Sequence, residues 1–87
     1  MEIKLFDIEL ENLTVGRNYK GLAIKEVNVG GKKVKLEMEF VVRDGEMVER
    51  KIKYFPEESL DKFELTFEIM QLIDEVCRIL EIEKGGG

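Results

Sequence analysis

Residues 33–42 alternate without a break. Val34, Leu36, Met38, Phe40 and Val42 face one way, and Lys33, Lys35, Glu37 and Glu39 face the other. A period of two is the repeat of a strand with one side buried and one in water. This stretch therefore commits the chain to an antiparallel sheet with an apolar face. Gly30-Gly31 precedes it and Asp44-Gly45 follows it, and both pairs tolerate the positive φ of tight hairpins. A two-residue loop at Gly30-Gly31 pairs Val27 with Val34 on the inner face and sets Glu26 opposite Lys35 on the outer one. A three-residue loop, Arg43-Asp44-Gly45, puts glycine at its left-handed third position. It also turns Val48, Ile52 and Tyr54 inward, with Arg50 among them, and sets Glu37 against Lys51. A register with Glu37 opposite Lys53 and Glu39 opposite Lys51 pairs the charges better. The turn chemistry is preferred, because an exposed cross-strand pair contributes only about 0.2–1 kcal/mol.

The upstream segments alternate with slips. Ile3 and Leu5 are in one phase, and Phe6, Ile8 and Leu10 in the other. Leu22 and Ile24 are out of phase with Val27 and Val29. A β-bulge shifts phase by one residue, so bulges are expected between Leu5 and Phe6 and at Lys25-Glu26. Two bulged strands imply a strongly curved sheet, in effect a half-barrel.

Downstream, Pro56-Glu57-Glu58 has the chemistry of a helix start. Phe63, Leu65, Phe67 and Ile69 alternate with Glu64, Thr66 and Glu68, and wound as a helix these apolar residues would point to nearly opposite sides. The pattern predicts a turn over 56–61, a fifth strand over 62–69 and a helix from about 70 to 83, carried by Ile69, Ile73, Val76 and Leu80 at the 3.6-residue period. The expected fold is α+β: a bent antiparallel meander of about five strands with one C-terminal helix on its concave face.

Eighty-seven residues suffice for one domain, here residues 1–84, with Gly85-Gly86-Gly87 as a flexible tail. The chain has no histidine, one cysteine (Cys77), one serine (Ser59) and two threonines (Thr14 and Thr66). Those residue types supply most nucleophiles, general bases and transition-metal ligands. A Ser/His/Asp triad, a Cys/His dyad and a histidine metal site are thereby excluded within one chain, and neither an enzyme nor a cofactor is implied. Cys77 lies on or beside the apolar face of the helix, where it acts as a small hydrophobe. A lone cysteine and the absence of a signal pattern or a long apolar run point to the cytoplasm and away from the membrane. Fifteen Glu and ten Lys against one Gln and three Asn match the composition of hyperthermophile proteins.

Charge divides along the chain. Residues 12–35 hold Arg17, Lys20, Lys25, Lys32, Lys33 and Lys35 against Glu26 alone, a net +5, whereas residues 57–84 hold nine acids and three bases, a net −6. The six cations are candidate contacts for a single-stranded nucleic-acid backbone, although Tyr19 is the only aromatic residue in that stretch that could stack a base. Glu57, Glu58, Asp61 and Glu64 form an acidic run without calcium-loop spacing; acids at a helix or turn start are expected for dipole reasons. Val41, Met47 and Phe55 fall on the outer side of the sheet and make a candidate protein-contact patch.

A glycine tail after a helix does not fit the ubiquitin-like order, in which the tail follows a strand. The run 33–58, strand–strand–Asp-Gly-Glu–strand–Pro-Glu-Glu, is similar to part of the four-strand-plus-helix single-stranded-DNA-binding coactivators. It covers under half of the chain and rests on common turn residues, so no family is assigned. The reading is of a non-enzymatic binding or assembly module acting through protein contacts at a strand edge or the outer sheet face, with self-association as one form. The alternative is nucleic-acid binding by the basic 17–35 hairpin.

Overall fold

The computed structural model describes residues 1–11, 14–58 and 60–85. In chain order the elements are β1 (Glu2–Phe6), β2 (Leu10–Glu11), β3 (Thr14–Val15), β4 (Tyr19–Val29), β5 (Lys32–Arg43), β6 (Glu46–Phe55), α1 (Lys62–Leu80) and β7 (Glu83–Lys84). Five strands form an open mixed sheet in the order β1-β4-β5-β6-β7, while β2 and β3 make a separate small ribbon. The fold is α+β, as the sequence implies, and the sheet does not close. The strands from β1 to β6 pair antiparallel. The fifth strand is β7, which pairs parallel with Glu46 and Met47 of β6.

The long strands are straighter than the slips in phase imply. β4 pairs with β5 without interruption from Tyr19 opposite Val42 to Val29 opposite Lys32, so Lys25-Glu26 is not a bulge. Leu22 and Ile24 simply lie half-buried on the outer face, where their apolar character mimics a change of phase. β1 pairs with β4 in one register as far as Phe6. The slip after Leu5 is the end of the strand, where Asp7 turns the chain at φ 52. Gly21 is needed where β4 passes Phe40, because a Cβ there would fall 2.1 Å from the ring.

Among the described residues the one bulge lies in the β5–β6 hairpin. Arg43 pairs with Glu46, leaving Asp44 and Gly45 as a two-residue turn with φ of 53 and 75. These values suit the primed turns that match strand twist. Val42 then faces Met47 and Val41 faces Glu49, so Val48 is the extra residue and is half-exposed. Met47, 1% exposed, takes the inward place expected for Val48. The shift sets Glu37 opposite Lys53 and Glu39 opposite Lys51. A bulge lets the hairpin combine a tight turn with the better-paired charges, a combination that a choice between two loop lengths leaves out.

Residues 62–69 are helical rather than a strand, and α1 begins six residues after Pro56. Asp61 is the N-cap: its carboxylate accepts from the Phe63 and Glu64 N–H groups at 2.9 and 3.1 Å. Wound at 100° per residue, the alternating run divides. Leu65 and Ile69 join Leu72, Ile73, Val76, Cys77 and Leu80 against the sheet, and Phe63 and Phe67 turn away. The helix ends at Glu81 in the left-handed region, φ 55, with its N–H bonded to the Arg78 carbonyl. Ile82 N–H reaches the Cys77 carbonyl at 2.9 Å, which completes a Schellman motif. Two ties seat α1 antiparallel to β4. Gly30 N–H donates to the Glu64 carboxylate, and Lys25 Nζ meets Glu75 Oε1 at 2.6 Å. Eleven helical residues rise about 16 Å, and the five strand residues from Gly30 back to Lys25 also span about 16 Å, so both ties close without distortion.

The core is the single layer between sheet and helix. Leu36, Met38, Val42, Met47, Leu72 and Val76 are its largest fully buried side chains besides Val29 and Val34. Gly85 packs on the β6 backbone, where a Cβ would fall 2.1 Å from the Met47 carbonyl oxygen; it is not a free tail residue. Gly86 and Gly87 lie outside the described residues. No helix among the described residues is long and apolar enough to cross a membrane.

Candidate functional site

A two-layer fold covers only one side of its helix. On the uncovered side of α1, Phe63, Phe67 and Met70 stand at i, i+4 and i+7 and are 90%, 59% and 56% exposed. That spacing places them in one stripe along the axis. Three side chains at those exposures present on the order of 400 Å² of apolar surface, the size at which a patch on a monomer is commonly functional. The stripe is built on the firmest part of the helix start. The Asp61 cap fixes the first turn, Glu64 is tied to Gly30, and Leu65, two residues on and on the opposite face from Phe63, is buried.

Beside the stripe lies a shallow concavity of about 390 Å³, lined by Phe63 and Phe67 from α1, by Glu64 and Glu68, and by Asn28 from β4. Two of its five lining residues are aromatic and two are acidic. Among the described residues Glu68 makes no ion pair, whereas Glu75 is held by Lys25 and Asp74 by Lys84 at 2.8 Å. The acidic run noted in the sequence is distributed among structural tasks. Glu58 pairs with Lys32 at 3.7 Å, Asp61 caps α1 and Glu64 binds Gly30 N–H. No group of three or more potential metal ligands gathers among the described residues.

The patch expected at Val41, Met47 and Phe55 is not one surface. Met47 is core. Val41 is half-buried on the outer sheet face, and Phe55, 41% exposed, lies opposite Lys35. Six positions of β5 separate the partner of Phe55 from Val41, about 20 Å. Val41 instead helps floor a groove of about 870 Å³ on the outer face with Phe6, Leu22 and Val48. Of its four cations, Lys20 pairs with Asp7 at 3.5 Å, Lys51 sits opposite Glu39 and Arg43 opposite Glu46, while Arg50 sits opposite Phe40.

The six basic residues do not converge either. Arg17 lies over Gly45 and donates to the Asp44 carbonyl at 2.6 Å, at one end of β5. Lys32 is at the other end, some 36 Å away along the strand. Lys20 and Lys35 lie on the outer face, and Lys35 meets Glu37 at 3.3 Å. Lys25 turns to the helix and Glu75. Lys33 is exposed.

Cys77 is buried under α1. Burial pushes its thiol above the ordinary value of 9.0; Asp74 acts in the same direction, while Arg50 and Lys84 oppose it. Burial, and secondarily Cys77, likewise raises the Tyr19 hydroxyl above 10.0. A raised thiol is a poor nucleophile near neutrality.

The alternation rule overlooked the Phe63/Phe67/Met70 stripe. The overlooked signal was Asp61 followed three residues later by Glu64, a capping-box spacing that marks a helix N-terminus ahead of the apolar run. Comparison of the chain with protein-family models, curated proteins and solved structures finds no match.

Proposed function

We propose that this domain is a non-enzymatic binding module that engages a protein partner through the outward face of α1. The observation that carries the reading is the alignment of Phe63, Phe67 and Met70, each more than half exposed, on a helix whose opposite face is core. The chemical inventory agrees. With no histidine and a buried, raised cysteine, the side chains suited to contact outnumber those suited to chemistry. The surface differs from the strand edge or outer sheet face expected from sequence, but the class of function is the same. A cytoplasmic, thermophilic setting is proposed on composition alone.

The nucleic-acid reading has less behind it. Four of its six cations lie within ion-pairing distance of an acid, and the set is divided between two ends and two faces of the sheet.

The test is site-specific photo-crosslinking in cells of the source organism, with the probe at position 67 or at position 48. The reading expects discrete protein adducts from position 67 that vanish when Phe63 is changed to Lys. Adducts from position 48 alone would refute it.

A further inference from the structure

We infer that the segment docking on α1 is basic and amphipathic: apolar anchors flanked by Lys or Arg. The inference rests on the reading of the Phe63/Phe67/Met70 stripe as a contact surface, and it names the partner's chemistry. Three observations select it. First, the concavity beside the stripe is lined by two aromatic residues, Phe63 and Phe67, and by two acidic ones, Glu64 and Glu68. A Lys or Arg stem can lie along a phenyl face while its charged head reaches a carboxylate. The Glu64 carboxylate already takes Gly30 N–H, which fixes it in place.

Second, the stripe belongs to the acidic half of the chain, net −6 over residues 57–84, which becomes −4 when Lys25 and Lys32, the partners of Glu75 and Glu58, are counted with it. A second copy would bring the same charge up to it. Two stripes would also bury only on the order of 800 Å² in total, short of the roughly 1,200 Å² at which stable interfaces begin. A phosphate backbone or an anionic lipid surface meets the same repulsion. Third, an apolar area of this size fits a transient contact between a short segment and a groove. Charge complementarity supplies the selectivity of such a contact.

The experiment is fluorescence anisotropy with three labelled amphipathic peptides of identical Leu and Phe anchors, flanked by Lys/Arg, by Gln or by Glu, at low and high salt. Folding of every variant is checked by circular dichroism. The basic peptide is expected to bind about tenfold or more tightly than the acidic one at low salt. That preference should narrow at high salt and in the Glu64→Gln/Glu68→Gln variant, which keeps the acceptor for Gly30. Anionic vesicles should not bind. Equal affinity for the basic and acidic peptides, a preference untouched by the double variant, or binding to vesicles instead of peptides would overturn the inference. In the equal-affinity case the contact surface itself still stands if Phe67→Lys abolishes binding of both peptides. Absence of binding by all three peptides would count against the surface as well as the partner's charge.

Discussion

Leu65, Leu72, Ile73, Val76 and Cys77 on one side of α1 and Phe63, Phe67 and Met70 on the other are all apolar. The first set is at most 8% exposed and the second at least 56%. Burial of each inner aliphatic side chain contributes up to roughly 1.5–3 kcal/mol to folding. The outer three contribute little, because they remain in water in both states. One helix thus separates stability from contact. The inner face is fixed by the sheet it must cover, and the outer face is free to be selected for a partner. The core does not account for exposed aromatics at helical spacing on a side of α1 that also carries Lys62, Thr66, Gln71 and Asp74.

Truncation on the inner face has the largest expected effect. Leu72→Ala, at a position with no exposure, should destabilise the domain by about 2–5 kcal/mol in urea unfolding. Loss of the cap comes next. Asp61→Ala removes the acceptor for two N–H groups and should lower stability by about 0.5–2 kcal/mol. Because it loosens the turn that carries Phe63, it should weaken peptide binding too. At the other end, Glu81→Gly should raise stability by about 1 kcal/mol. Glu81 sits at φ 55, where an L side chain is strained and glycine is not.

A smaller effect tests the inner face by pH. Cys77 and Tyr19 are both shifted upward in the folded state. The unfolded chain therefore loses these protons first as pH rises, and the folded state is favoured less. Their contribution is fully present below about pH 9 and should fade through the alkaline range, visible as a falling urea midpoint. Cys77 should stay unreactive to iodoacetamide at neutral pH until the domain unfolds. The smallest change is expected on the outer face: Phe63→Ser should leave stability within about 0.5 kcal/mol. A loss comparable to that of Leu72→Ala would mean that the two faces are not separate after all.

How far the sequence can be read follows the same division. The strand over 33–42 was legible because its apolar residues all end on one buried face, and the Gly30-Gly31 turn pairs Val27 with Val34 as expected. The β5–β6 register was not legible from turn chemistry alone, because the extra residue, Val48, is absorbed by a bulge rather than by the loop. The segment 62–70 misled because two apolar sets share it. Alternation describes a strand when every apolar residue serves the core, and it fails when some of them serve a partner. Leu65 and Ile69 continue the core series of α1, while Phe63 and Phe67 interrupt it. The residues that most obscured the secondary structure are those that now mark the candidate site. The basic cluster was compact in sequence but not in space, because hairpin strands carry neighbouring residues to opposite faces and ends.

The most direct measurement is a ¹⁵N-resolved NMR titration of the intact chain with the basic amphipathic peptide. Shifts are expected to concentrate on residues 62–71 and Asn28 and to saturate together, with the outer-sheet residues Leu22, Val41 and Val48 unmoved. Shifts centred on that outer groove, with α1 silent, would contradict the proposed contact.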